Sequence, residues 1–492
     1  MILMAVNKAE IYNNQWEPAD FINEEEINRL LEEARQASPA RVREIIEKAR
    51  EARGLTPEEV AILLQNEDQE LLDLMYRVAS EIKLKIYGKR LVLFAPLYIS
   101  DHCVNNCVYC GYRRDNKFKR RKLTQEEVAE EVKILESMGH KRLAVEAGEH
   151  PGECPIEYVL ECLKTIYSIK FDNGSIRRCN VNIAATTIEN YKKLKDAGIG
   201  TYILFQETYH RETYKKMHPS GPKADYDWHT TAHDRAMMAG IDDVGLGVLF
   251  GLYDYKFEVL GLMMHALHLE ERFGVGPHTI SVPRLRPARG VDYNNFPYLV
   301  NDAQFMKLVA IIRLAVPYTG MIISTRERPE YRDMLLNYGI SQISAGSCTG
   351  VGGYKRELER KQCIAEGGSN CGTGEEEAPQ FHVDDHRSPD EVLRSVCQSG
   401  WLPSYCTACY RKGRTGDRFM ALAKSGEIQN VCQPNAILTF KEYLMDYASP
   451  ETREVGEETI RRHLEEISNT QIRKITEERL KQIEAGERDL YF

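Results

Sequence analysis

LVLFAPLYISDHCVNNCVYC, residues 91–110, runs from a short apolar stretch rich in aromatic and branched side chains straight into three cysteines at 103, 107 and 110. The apolar part reads as a strand buried on both faces, and the cysteine part as a tight loop at its end. Seven more runs follow, RLAVEAG (142–148), CNVNIAA (179–185), TYILFQ (201–206), DDVGLGVLF (242–250), TISVPRL (279–285), GMIIST (320–325) and ISQISAG (340–346). Helical segments separate them, among them QEEVAEEVKILESMG (125–139), TIENYKKLKDAG (187–198) and DAQFMKLVAIIRLAV (302–316). Alternating βα units argue a parallel sheet, and eight of them suggest a (β/α)8 TIM-type barrel with its active site at the C-terminal ends of the strands. A doubly wound open sheet has the same alternation, so pattern alone leaves both.

Outward from this core, residues 1–88 are expected to form an N-terminal helical extension. EEEINRLLEEARQ (24–36) and ARVREIIEKAREA (40–52) carry apolar residues at three- and four-residue steps, and Thr56-Pro57-Glu58-Glu59 has the form of a helix cap. The barrel is placed at 89–347. The Gly-, Glu- and Cys-rich segment 348–380 reads as a loop or crossover, and 381–492 as a mostly helical C-terminal domain ending in one charged amphipathic stretch, 459–489. The 492 residues are too many for one ordinary core but suit a barrel with flanking domains.

A formal net charge of −9 argues against a nucleic-acid protein, whose phosphate contacts need clustered cations. No apolar stretch reaches the ~18 residues of a membrane span, and the N-terminus has no secretory pattern, so the expected location is cytoplasmic. Thirteen cysteines, an odd count, do not make a disulfide framework in a reducing compartment.

The C-x3-C-x2-C spacing of Cys103, Cys107 and Cys110 lets one loop wrap three thiolates around one cluster. Three ligands on four irons leave one iron open to substrate, whereas a purely electron-transferring cluster usually has four cysteines. The alternative is a zinc knuckle, for which a fourth ligand in register is missing, His102 being adjacent to Cys103. Tyr405-Cys406-Thr407-Ala408-Cys409, with Cys432, gives a second trio, C-x2-C-x22-C, where a zinc site completed by a distant histidine is the competing reading. Cys154, Cys162, Cys179, Cys348, Cys363, Cys371 and Cys397 show no ligand spacing and read mostly as packed thiols.

The first cysteine motif, with Tyr109 before its last cysteine, resembles the signature of the radical S-adenosylmethionine superfamily. That resemblance implies a 4Fe-4S cluster whose open iron chelates S-adenosylmethionine. Ala147-Gly148-Glu149 looks like the superfamily's GE motif, in which Gly148 and Glu149 receive the methionine ammonium. Gly245 and Gly247 resemble the strand lying against the adenosyl group, with a close-packed barrel strand as the equal alternative.

Both trios together, with GYRRDNK (111–117), SVPRLRPARG (281–290), IISTRE (322–327) and SAGS (344–347), resemble the tyrosine lyases of FeFe-hydrogenase maturation. Over the barrel alone the chain is similar to 2-iminoacetate synthase of thiamine biosynthesis, which lacks the C-terminal trio. The tyrosine lyase family implies Cα–Cβ cleavage of L-tyrosine to p-cresol and dehydroglycine. It also implies conversion of the fragment to carbon monoxide and cyanide at an auxiliary 4Fe-4S cluster. These leave on a labile fifth iron with free L-cysteine as an iron ligand, bound for a hydrogenase maturation scaffold protein. His265 is taken as the family's histidine on the labile iron, with His268 its neighbour and competitor. Arg326 is the first choice for the substrate carboxylate, ahead of Arg284 and Arg286. The basic run Arg113, Arg114, Lys117, Lys119, Arg120, Arg121, Lys122 suggests docking of a flavodoxin or ferredoxin electron donor, with a solvated surface or contacts within the barrel as the plain alternatives. An iron–sulfur scaffold protein without substrate chemistry is the reading from another class; it has no use for strand-end Gly-Glu and Arg residues.

Overall fold

In the computed structural model of the chain, the described residues are 17–367 and 379–492. Eight parallel strands form a closed barrel: β1 (Arg90–Ser100), β2 (Arg142–Ala147), β3 (Arg178–Asn182), β4 (Tyr202–Ile203), β5 (Val244–Gly247), β6 (Thr279–Ser281), β7 (Gly320–Ile323) and β8 (Gln342–Ser344). The eight apolar runs are these eight strands, and they make the barrel rather than the open sheet. Closure depends on the length of β1, which pairs with β8 through Val92–Phe94 and with β2 through Ala95–Ser100.

Along β1 the side chains alternate with period two, as a pleated strand requires. Leu91, Leu93, Leu97 and Ile99 belong to the apolar core, whereas Val92, Phe94, Pro96 and Tyr98 line cavities inside the barrel. Helices cover the outside. The N-terminal helices Pro57–Gln65 and Gln69–Tyr87 pack on the barrel helices Tyr255–Phe273 and Asp302–Ala315, and Thr56 forms a capping box with Glu59 as its sequence suggested.

Three local features differ from expectation. A ninth strand, β9 (Leu402–Ser404), pairs in parallel with Arg90–Val92 at the start of β1. Three residues that include Pro403 carry no alternation, and proline is tolerated there because β9 is an edge. Within 348–380, expected as a loop or crossover, Gly353–Ala365 is a helix; the glycines that punctuate this stretch form its entry turn, with Gly352 at φ +70°. The amphipathic stretch 459–489 is broken into Pro450–Glu465 and Thr470–Glu484, the second capped by Asn469. Cys371 lies outside the described residues.

Candidate active site

At the C-terminal mouth of the barrel, the loop after β1 brings Cys103, Cys107 and Cys110 onto the wall of one cavity of about 130 Å³. Glu146, Gly148, Glu149, Lys223 and Arg326 line the same space. Backbone bonds stitch the loop to the end of β2: the Gly148 amide donates to the Ser100 carbonyl (2.9 Å) and the Val104 amide to that of Glu149 (2.7 Å). A Cβ at 148 would collide with the His102 carbonyl oxygen, so only glycine allows this approach. Arg120 donates to the carbonyls of Asp101 and Tyr112, on either side of the three cysteines, both at 2.7 Å. Its guanidinium is thus a clasp for the loop rather than part of a free basic surface. Arg121 and Lys122 are likewise paired, with Glu127 and Glu153. Lys117 and Lys119 remain exposed.

Burial raises all three thiols, Cys110 to about 11, while Lys223 pulls Cys107 and Cys110 the other way. Buried sulfurs of this kind ionise when a cation meets them, which is what iron ligation supplies. The residues therefore fit a cluster held by three thiolates. Among the described residues no three His, Cys, Asp or Glu side chains are arranged around a single-ion position.

Glu149 accepts from the Asn105 side chain at 2.6 Å, and burial lifts its carboxyl to about 7. Tyr109 lines the cavity with its hydroxyl against His218 Nε2 (2.8 Å). Gly245 and Gly247 are packed instead: a Cβ on either would meet Ile203 and Thr279, or Phe205, and neither lines the cavity. Glu207 also lines it, at φ +71°, with its carboxylate on Lys223 at 2.8 Å.

The three arginines separate clearly. Arg284 is bound to Glu327 and Asp302, and Arg286 to Glu327 and Asp384. Arg326, half-buried, lies over the Phe381 ring at 3.4 Å, and among the described residues its guanidinium has no carboxylate partner. It lines both the cysteine cavity and a second one of about 80 Å³ inside the barrel. Glu146, Asn182, Phe205, Gln380 and Phe381 share both walls and form the neck between the two cavities.

The second trio sits at the opposite, N-terminal mouth. Cys406 and Cys409 follow β9, Cys432 is in the first turn of the helix Gln429–Asp446, and all three line a cavity of about 40 Å³. The starts of the strands supply the rest: Arg90, Arg142, Asp243, His278 and Gln342. Sharing a hydrogen bond with Cys432, and facing Arg414 and Arg90, brings the Cys409 thiol down to about 6. Phe94 and Pro96 belong to the middle cavity and Val92 to this one, so β1 marks a line of cavities from one mouth to the other.

His265 is not at either trio. It is buried on the outer helix Tyr255–Phe273, with Nδ1 against the Tyr209 hydroxyl at 3.0 Å and its ring beside His233. His268 pairs with Asp234. The histidine beside the second trio is His278, immediately before β6, with Asp243 at 3.5 Å and the Phe419 ring at 4.4 Å. The resemblance to the tyrosine lyases pointed to His265, whereas a residue immediately before a barrel strand is the position that faces this mouth.

The Radical SAM superfamily matches residues 97–264, and the Biotin and Thiamin Synthesis associated domain matches 281–402. The crystal structure of HydG, a maturase of the FeFe-hydrogenase, is 62% identical to this chain with a TM-score of 0.91, covering 96% of this chain and 100% of that one. The chain belongs to the HydG family. HydG from Carboxydothermus hydrogenoformans is 39% identical, with a TM-score of 0.80 over 94% of this chain and 99% of that one. The 2-iminoacetate synthase of Escherichia coli (strain K12) is 29% identical over 360 residues, 73% of this chain and 89% of that protein.

Membership of HydG, a radical S-adenosylmethionine family, carries with it a 4Fe-4S cluster and S-adenosylmethionine; the loop at 103–110 brings three cysteines onto the wall of one cavity. The neck residues Glu146, Asn182, Gln380 and Phe381, and the lower-mouth residues Arg90, Arg142 and His278, were missed in the sequence. Their common signal is position at the end or start of a strand, or in the segment that crosses the upper mouth after 379.

Proposed function

We propose that this HydG family member is a carbon–carbon lyase that cleaves L-tyrosine to p-cresol and dehydroglycine. The fragment is then converted to carbon monoxide and cyanide at an auxiliary cluster on Cys406, Cys409 and Cys432. The observation that carries this reading is Arg326, a half-buried guanidinium that has no carboxylate partner among the described residues, held by Phe381 over the neck beside the cysteine cavity. A planar fork there suits the bidentate grip of an amino-acid carboxylate. When bound, the first cluster and S-adenosylmethionine supply reductive carbon–sulfur cleavage and a carbon-centred radical. Gly148 and Glu149 receive the methionine ammonium, Tyr109 and the loop backbone form the adjoining wall, and Phe205 and Phe381 keep water from the neck.

The line of cavities along β1 supports an internal route for dehydroglycine, one that would contain products that bind exposed iron strongly. At the lower mouth Arg90 and Arg142 favour thiolates, and neutral imidazole at His278 is a suitable ligand for the labile iron, the cargo that leaves with carbon monoxide, cyanide and free L-cysteine. The product is destined for a hydrogenase maturation scaffold protein. Anaerobic turnover of reconstituted protein with S-adenosylmethionine, reductant and tyrosine should yield both p-cresol and carbon monoxide. Arg326→Ala should raise KM for tyrosine by about 10- to 100-fold, the worth of a charged hydrogen-bonded pair. Unchanged KM removes Arg326 from the site.

A further inference from the structure

Tertiary folding places a second charge-bearing group opposite Arg326. On β2, Ala144 and Glu146 face the barrel interior, and Glu146 lines both cavities of the neck, as Arg326 does. Both side chains are half-buried, and among the described residues they form no ion pair with each other. The Asn182 amide is the hydrogen-bonding group within reach of Glu146. A carboxyl and a guanidinium drawn partly out of water at one neck without pairing leave room for a ligand that completes both. A molecule with a carboxylate and an amino group on one carbon does so.

We propose that Glu146 is the residue that receives the substrate's amino group, making with Arg326 a two-point grip on an α-amino acid. This rests on the reading of the neck as an amino-acid site and adds to it the group that positions the amine on which the proposed cleavage begins.

Burial lifts the Glu146 carboxyl to about 8, with Arg326 and Asn182 opposing the shift. At neutral pH the empty site therefore holds a protonated acid. An arriving ammonium reverses that preference. Whether the bound pair is carboxylate with ammonium or carboxylic acid with neutral amine, one proton has left. The other titratable groups facing Glu146 are Tyr98 on β1 and Tyr112 beyond it, both pushed well above neutrality by burial and so silent. On the cluster side lie Glu149 and the Lys223–Glu207 pair. Saturation with S-adenosylmethionine before the measurement settles Glu149.

The test is calorimetry on anaerobic holoenzyme with S-adenosylmethionine and no reductant, in buffers of different ionisation enthalpy at pH 7. L-Tyrosine is compared with 3-(4-hydroxyphenyl)propionate, which keeps the ring and carboxylate and lacks the amine. Tyrosine should release close to one proton and the propionate none. Glu146→Gln should abolish the release and weaken tyrosine about 10- to 100-fold, leaving the propionate unchanged, which also shows the site intact. Where Glu146→Gln binds neither ligand, Glu146→Asp decides: it should bind tyrosine with proton release, and binding without release overturns the inference. Full release and affinity in Glu146→Gln overturn it too. Wild-type protein that binds no tyrosine overturns the reading of the neck and the inference with it.

Discussion

The two mouths of the barrel each present three cysteines, yet they are built differently. At the upper mouth the trio comes from one loop of eight residues, 103–110, held by the end of β2 and the Arg120 clasp. At the lower mouth two cysteines follow an edge strand and the third comes from a helix, and four barrel strands contribute the surrounding charges. The upper thiols are all raised by burial, and so is Cys406 at the lower mouth, but there Cys409 is brought down to about 6 by its hydrogen bond with Cys432 and by Arg414 and Arg90. A local loop can be recognised from its spacing. A site assembled from distant segments takes its chemistry from neighbours that spacing does not name.

Breaking the upper trio should have the largest effect. Cys107→Ser is expected to reduce S-adenosylmethionine cleavage and p-cresol together to background in an anaerobic assay, because every later step depends on that cluster. Wild-type p-cresol from this variant would refute its role as a ligand.

Breaking the lower trio should separate the two mouths. With Cys406 and Cys409 both replaced by Ser, p-cresol formation should largely persist while carbon monoxide falls to near zero and glyoxylate accumulates from unconverted dehydroglycine. A structural zinc site predicts another pattern, loss of the domain and of both activities. Equal loss of p-cresol and carbon monoxide in a folded variant would exclude conversion at this mouth.

The histidines sharpen the comparison. His278→Ala should lower carbon monoxide relative to p-cresol by about tenfold or more, as disturbance of a metal's surroundings commonly does. His265→Ala should leave that ratio unchanged and cost about 1–3 kcal/mol of stability through lost packing against Tyr209 and His233. The reverse pattern would return the role to the outer helix.

The smallest effect concerns electron delivery to the upper mouth. Lys117→Ser with Lys119→Ser should slow flavodoxin- or ferredoxin-driven turnover a few-fold and flatten its salt dependence, with dithionite-driven turnover unaffected. Replacement of Arg120 should impair both, since it secures the cluster loop. Equal salt dependence in the double variant would show that the donor docks elsewhere.

Eight apolar runs with helical spacers were enough to place every barrel strand, because a buried parallel strand must be apolar throughout and must be followed by a crossover. The first cysteine loop was equally plain, its three cysteines lying within eight residues of chain. β9 was not, since three residues with a proline carry no period. Nor was the choice between barrel and open sheet, which rests on β1 reaching β8 on one side and β2 on the other.

The sequence by itself therefore determined the strand count, the two cysteine sets and the arginines worth testing. Tertiary structure alone decided which arginine lacks a carboxylate partner among the described residues: Glu327 occupies Arg284 and Arg286, while Arg326 is left over the neck on Phe381. It alone placed His278 rather than His265 beside the lower trio, and brought Glu146 to the neck with Arg326. The physical reason is the same in each case: a side chain's chemistry depends on which charges and cavities surround it after closure of the barrel, and those neighbours lie tens to hundreds of residues away along the chain.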